Sequence, residues 1–177
     1  MRLHGIAIFT LRAAGFAAIV CGIYALACRI RGRALCAGRL LSVFYLASLV
    51  EITVLRGGVA WSALFDSERF AAQWMPFQTT LDEFKSGAWP FIYHVGGNLA
   101  WFIPLGLIMR RKSAWAALLA GILISSAIEC LQWVLITGMT DVDDVILNTC
   151  GTLTGYLLSR KIQRHGKTEQ ASIQRNR

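Results

Sequence analysis

Acidic residues are scarce in this chain, and so are the motifs that identify most soluble enzymes. Ten Asp and Glu residues stand against 18 Lys and Arg residues, which gives a formal net charge of +8. The sequence contains neither a Gly-rich phosphate loop nor a Ser-His-Asp spacing. Four of the five cysteines lie inside apolar runs, and their spacings match neither a disulfide framework nor a zinc site. These absences exclude a disulfide-stapled scaffold and the common soluble catalytic motifs.

Long apolar segments are what the chain has in abundance. It is 55% hydrophobic over 177 residues, with a mean hydropathy of +0.51. Since a membrane helix needs about 20 mostly apolar residues, this composition predicts an all-α integral membrane bundle. Five spans are predicted, at 5–27, 38–55, 91–109, 114–136 and 143–159. We expect a single transmembrane domain over 1–161 and a polar tail, disordered or a frayed helix end, over 162–177.

An alternative exists for the first apolar segment. The residues YALAC, 24–28, faintly resemble a lipoprotein cleavage site, which would make the segment a signal peptide. Arg12 interrupts the apolar region and the residues after Cys28 are basic. The pattern therefore favours a span that is retained.

The charges are distributed asymmetrically between alternate connections. The loops after spans one and three and the tail hold 13 of the 18 basic residues and one acid, Glu169. By the positive-inside rule, this places the N-terminus outside and the C-terminus in the cytoplasm. The net charge is then mainly a topology signal, so nucleic acid is not expected as a partner. A weak attraction to anionic lipids of the inner leaflet is expected.

The long outer loop, 56–90, is rich in Trp and Phe. It is too short to form a domain with its own core. The favoured interpretation is an aromatic belt at the membrane interface. The alternative is a re-entrant or surface-lying segment that covers a site.

Polar side chains inside the spans fall in the outer half of the membrane. At 1.5 Å per residue, all lie within about 12 Å of the outer boundary. Such groups are costly in lipid and usually face the interior of a bundle, which predicts one outward-facing polar pocket. The candidate ligand-binding residues are Arg12, Arg56, Asn98, Glu129, Gln132, Asp141, Asp143, Asp144 and Asn148.

Span five carries a polar stripe that becomes a stripe of small residues. Asp144 and Asn148 share a helical face with Gly151 and Gly155, whose G-x-x-x-G spacing allows close approach of another helix. That face serves either internal packing or a homo-oligomer. The other two acids of the run, Asp141 and Asp143, are interpreted equally well as helix caps or as functional groups.

Three residues are candidates for catalysis: Glu129, His94 and Asp144. A buried carboxylate such as Glu129 must be paired or protonated, with Arg12, Arg56 or His94 as its partner. The alternative is a structural ion pair between helices. Asp143 and Asp144 are weak candidates for holding Mg²⁺, since hard cations prefer carboxylate oxygens. Beyond this Mg²⁺ alternative, no cofactor is expected.

Three segments in order resemble the VanZ-like membrane family. They are GGNLAWFIPLG (96–106), SSAIECLQ (125–132) and DVDDVILNTCGTLTGY (141–156), and MPFQTT (75–80) is similar to the family's preceding loop. Many members carry an Arg shortly before the acidic run, where this chain has Met139. The resemblance implies a multi-pass protein of the bacterial cytoplasmic membrane, of a type linked to low-level teicoplanin resistance.

Four functions remain open on this basis. The favoured hypothesis is a protein whose outward pocket binds an envelope lipid or a lipid-linked cell-wall precursor and so changes glycopeptide susceptibility. The others are an intramembrane enzyme acting on a lipid-linked substrate, a proton-coupled transporter, and a polar cluster that only stabilises the bundle.

Overall fold

The computed structural model describes residues 3–55 and 72–175, with side chains described over 11–55 and 72–164. This part of the chain is helical and contains no β-strand. The helices are α1 (Leu3–Ile30), α2 (Ala37–Thr53), α3 (Gln78–Ser86), α4 (Ala88–Ile108), α5 (Ala114–Leu135) and α6 (Val142–Arg175). A short 3₁₀ turn, Met109–Arg111, follows α4. The predicted all-helical fold is confirmed.

Three of these helices are long and apolar enough to cross a membrane. They occupy Leu11–Ile30, Ala88–Arg111 and Ala114–Leu135. α2 has only 17 residues, and the apolar part of α6 is interrupted by Asn148 and several threonines. The chain is therefore a protein with membrane-spanning helices, while the count of five spans stays a prediction.

Two helices differ from the sequence prediction. α6 runs on to Arg175, past the predicted span over 143–159; of the two alternatives for the polar tail, disorder and a frayed helix end, the described part is helical. α3 lies within the predicted outer loop, of which residues 56–71 are outside the described residues. Trp74, Leu81 and Phe84 around α3 are exposed, which is typical of a helix at a membrane interface.

The described residues divide into two compact units. The first contains α1, α2 and the segment 130–140. Its two long helices are antiparallel, because Arg12 reaches Glu51 while Cys21 donates to the carbonyl of Leu40. Small side chains such as Ala17, which is fully buried, let the helices pack closely.

The second unit contains α3, α4, residues 114–129 of α5, and α6. α4 and α6 run parallel, since Leu99 and Ile103 of α4 lie against Gly151 and Gly155 of α6. α5 runs antiparallel to α6, because Ser125 contacts Asn148 while Gly121, earlier in α5, lies against Thr149 and Thr152, later in α6. The parallel arrangement brings the N-terminal ends of α4 and α6 to one end of this unit.

The G-x-x-x-G pair of α6 is used inside the second unit. A Cβ added to Gly151 would overlap the carbonyl oxygen of Leu99, and one added to Gly155 would overlap that of Ile103. Gly106 of α4 lies equally close to the backbone of α6 at Thr152. Of the two interpretations of this face, the structure thus shows internal packing between α4 and α6.

Candidate functional site

The acidic run lies at the N-terminal end of α6, where its first residue caps the helix. Oδ1 of Asp141 accepts a hydrogen bond of 2.9 Å from the backbone N–H of Asp143, the second residue of α6. This is the N-cap arrangement that Asp side chains favour. The N–H of Asp141 itself donates to Oε2 of Glu129 at 2.8 Å. The buried Glu129 carboxylate therefore connects α5 to the residue that caps α6.

Asp143 holds the loop that precedes α4. The N–H of Phe77 donates to one of its oxygens. The N–H and the hydroxyl of Thr80 both donate to the other at 2.9 Å. Phe77 is the N-cap position of α3 and provides no side-chain cap of its own. A carboxylate from a distant helix thus satisfies the first amides of α3, which also favour negative charge.

Asp144 forms the most ligand-like arrangement in the second unit. Nδ2 of Asn98 donates to Asp144 Oδ1 at 2.6 Å. Nε2 of His94 lies 3.7 Å from the same oxygen, too far for a hydrogen bond, and is buried without a hydrogen-bond partner among the described residues. The side chains of Asp144 and His94 are 24% and 16% exposed, so both lie at the edge of the described structure, although Nε2 of His94 itself is buried. Asp144, His94 and Asn98 are named the Asp144 cluster below.

The face of α4 beside this cluster is open. A Cβ added at Gly96 or Gly97 would meet nothing within 4 Å, unlike one added at Gly106. These two glycines therefore do not serve packing within the described residues. Gly97 is at i+3 from His94 and leaves room on that side of α4 for a ligand, whereas Gly96 is on the opposite side of the helix.

Asn148 sits one turn further along α6 in a closed environment. Its Nδ2 donates to Oγ of the fully buried Ser125 at 2.8 Å. Its Oδ1 is buried without a partner among the described residues. The candidate residue Asn148 therefore joins α5 to α6 and lies deeper than the Asp144 cluster.

Two other candidate residues belong to the first unit. Arg12 pairs with the buried Glu51 at 3.1 Å and reaches the carbonyl of Leu55. Gln132 donates to the carbonyl of Thr53 at 3.0 Å. Arg56 lies outside the described residues. A single pocket formed by all the candidate residues therefore stays a prediction.

The geometry gives little support to the Mg²⁺ alternative. Among the described residues, no three His, Cys, Asp or Glu side chains lie close enough together to hold a metal ion. Both oxygens of Asp143 already accept hydrogen bonds from α3 and its N-cap. Of the two acids that were candidates for holding Mg²⁺, only Asp144 could then supply a ligand, and one carboxylate is fewer than Mg²⁺ sites generally use.

Sequence reasoning missed Thr80 as a partner of Asp143. Its backbone and hydroxyl supply two of the three donors that fix the carboxylate. The only signal in the sequence is that MPFQTT, which ends in Thr80, is similar to a family segment. The sequence also did not indicate that Tyr156 connects α6 to the turn after α4, where its hydroxyl donates to the carbonyl of Lys112.

The comparisons with known proteins agree with the motifs. Neither a curated protein nor a solved structure matches the chain. A family model described as VanZ/LLP1 matches residues 42–163. The match includes α4, α5, the acidic run and the Asp144 cluster. The chain therefore belongs to the VanZ/LLP1 family.

Proposed function

We propose that this protein is a multi-pass protein of the bacterial cytoplasmic membrane that binds the headgroup of an envelope lipid or of a lipid-linked cell-wall precursor at the Asp144 cluster. Binding there modulates susceptibility to glycopeptide antibiotics. The observation that carries the proposal is the His94–Asp144–Asn98 arrangement, in which a partly exposed carboxylate lies beside a buried imidazole nitrogen. Polar groups at membrane depth are costly and mark functional sites by default.

The chemistry of the cluster fits a headgroup that carries hydroxyl or amine groups. The Asp144 carboxylate accepts hydrogen bonds, and an imidazole nitrogen donates or accepts depending on its tautomer. A ligand hydroxyl group could hydrogen-bond to the partly exposed Asp144 carboxylate and, after a small rotation of the imidazole ring, to Nε2 of His94. The open surface at Gly97, at i+3 from His94, leaves room for the rest of the ligand.

The proposed topology has five spans, with the N-terminus outside and the C-terminus in the cytoplasm. Within the second unit, the acidic run lies at the N-terminal end of α6, and Arg160 and Lys161 follow the apolar part of the same helix. This charge order fits an outward-facing Asp144 cluster under the positive-inside rule.

Cys36 provides a direct test of the topology. It is exposed in the loop between α1 and α2, among the arginines that are proposed to face the cytoplasm. The backbone N–H groups of Arg39 and then Gly38, at the start of α2, lower the pKa of the Cys36 thiol below its usual 9.0, although the geometry falls short of a capping hydrogen bond. The reactive thiolate is therefore more populated at neutral pH than in an ordinary cysteine, and it is lost as the pH falls through the lowered pKa.

We expect a membrane-impermeant maleimide to label Cys36 in inverted membrane vesicles and not in intact cells. The labelling rate should fall with decreasing pH, and Cys36→Ser should abolish the signal. Cys130 and Cys150 are exposed within helices proposed to face lipid, where the reagent does not reach them. Labelling of Cys36 in intact cells would reverse the proposed orientation.

Asp144→Asn tests the binding proposal. We expect the variant to retain its co-purifying polar lipid about tenfold less well, because a hydrogen bond to a charged group contributes about 1.5–3 kcal/mol. Lipids would be extracted from the purified protein and quantified by mass spectrometry. Teicoplanin susceptibility of cells expressing each variant would be measured in parallel.

Asp82→Asn is the matched control. It makes the same chemical change to an exposed carboxylate of α3, which pairs with Lys85 at 3.0 Å. Lipid content and teicoplanin susceptibility should match the wild type. If Asp144→Asn lowers only the melting temperature and leaves lipid content and teicoplanin susceptibility unchanged, the cluster only stabilises the helix bundle and the proposal is wrong.

A second function is favoured by one feature of the same cluster. A carboxylate beside an imidazole is the arrangement that orients a histidine as a general base. An enzyme acting on a lipid-linked substrate would use His94 in that role. Incubation of purified protein with lipid-linked precursors separates the two functions, since turnover lost in His94→Gln indicates catalysis and stoichiometric binding without turnover indicates a binding protein.

A further inference from the structure

The opposite end of the second unit carries a concentrated positive charge. Its six basic residues are Arg110, Arg111, Lys112, Arg160, Lys161 and Arg164. All six are exposed, and the segments 84–128 and 145–168 contain no Asp or Glu, so this end of the unit is strongly basic in composition, with Glu169 as the next acid along α6. The Tyr156 hydroxyl donates to the carbonyl of Lys112 at 3.2 Å, which fixes the basic turn after α4 against α6.

A groove of about 530 Å³ opens on α6 at this end. It is lined by Tyr156, Leu157, Arg160, Lys161 and Arg164. Leu157 is 64% exposed and gives the groove an apolar edge. The groove therefore combines cationic groups with an apolar wall. It lies where the apolar part of α6 ends and its basic residues begin.

This combination matches the headgroup region of a phospholipid. Guanidinium groups bind phosphate oxygens through charge-assisted and often bidentate hydrogen bonds. Arg160 and Arg164 are spaced i, i+4 and so share a face of α6. A free phosphate ion would use only the cations, whereas a lipid would also cover the exposed Leu157.

We propose that this groove binds the phosphodiester headgroup of an anionic phospholipid, whose acyl chain lies against Leu157. Arg160 and Arg164 bind the phosphate, and the basic turn after α4 adds attraction to the surrounding anionic leaflet. The site is at the other end of the unit from the Asp144 cluster. It does not depend on what that cluster binds.

The test measures lipid binding by native mass spectrometry on the full chain in detergent. Phosphatidylglycerol, phosphatidylcholine and inorganic phosphate would be titrated separately. The double variant Arg160→Gln/Arg164→Gln should bind phosphatidylglycerol about 25-fold more weakly, because each basic side chain near an anionic lipid contributes about fivefold. Arg160→Lys/Arg164→Lys should recover part of the loss.

Arg31→Gln/Arg33→Gln is the matched control, since it removes the same charge from the loop after α1. It should leave phosphatidylglycerol affinity within about twofold of the wild type, because neither arginine lines the groove. Equal losses in both double variants would overturn the proposal in favour of general charge attraction. Equal binding of phosphatidylcholine, or displacement of the lipid by inorganic phosphate at equal concentration, would overturn it as well.

Discussion

Gly155→Ala is expected to destabilise the protein by about 1–3 kcal/mol, although alanine is the better helix former. The reason is the close contact between α4 and α6. A single Cβ at this position overlaps the carbonyl oxygen of Ile103, which belongs to the backbone and cannot rotate away. To accommodate it, α4 must move off α6, and the contacts along both helices are lost.

The same Gly→Ala change should have opposite effects on stability at a packed and at an unpacked position. Gly22→Ala in α1 is the control, because a Cβ there meets nothing within 4 Å. It should stabilise the helix by up to about 1 kcal/mol, since Gly carries that penalty in a helix interior. Both variants would be compared by chemical unfolding in detergent, followed by circular dichroism. Equal stabilisation by both substitutions would show that α4 and α6 do not touch at Gly155.

The consequence extends to the Asp144 cluster. Asn98 and His94 are on α4, and Asp144 is on α6. Moving one helix away from the other separates the Asn98 amide from the carboxylate. We therefore expect Gly155→Ala to lose co-purifying lipid together with stability, which makes the glycine a positioning residue for the proposed site.

The apolar helices were the most predictable part of the fold. The prediction of a span over 114–136 agrees with α5 at Ala114–Leu135, and the span over 91–109 agrees with α4 at Ala88–Ile108. Length and hydrophobicity decide these elements locally, because the backbone must bond within each helix in lipid. Depth reasoning also placed Asn98 and Asp144 near the same end, where they now share a hydrogen bond.

Elements that depend on distant partners could not be predicted in this way. α3 has nine residues, and its first amides are satisfied by Asp143, more than sixty positions along the chain. A helix this short is marginal without tertiary help, so local propensity gave no reason to expect it. The predicted span ends at residue 159 because the apolar part ends there, and polarity alone could not decide between disorder and continued helix over 162–177.

Two buried hydroxyls of α6 are bonded within the helix. Thr152 donates to the carbonyl of Asn148, and Ser159 donates to that of Tyr156. Their hydrogens are thus used within the helix, as Ser and Thr commonly do. The hydroxyl of Thr149, by contrast, is buried without a partner among the described residues.

Asp143→Ala is expected to release α3 from the N-terminal end of α6. The carboxylate is 1% exposed and accepts three hydrogen bonds, so its removal leaves the first amides of α3 without their partner. Hydrogen bonds to a charged group contribute about 1.5–3 kcal/mol each, and unmet buried donors add their desolvation penalty. The local opening free energy of α3 should therefore fall by about 3 kcal/mol or more.

Hydrogen–deuterium exchange of the peptide that spans Phe77–Ser86 measures this directly. Exchange there should accelerate by about a hundredfold in Asp143→Ala, since 1.4 kcal/mol corresponds to a factor of ten, while peptides from α5 change much less. Asp143→Asn should have a smaller effect in the same direction, because its single amide oxygen can accept from Thr80 or from Phe77 but not from both. Asp82→Asn, whose exposed ion pair contributes about 1 kcal/mol or less, should leave exchange near that of the wild type. Unchanged exchange in Asp143→Ala would mean that the carboxylate does not anchor the loop.

In that case Asp143 would be a candidate ligand-binding residue again. A buried acid that stabilises no other part of the protein is costly, and ligand binding would then account for it.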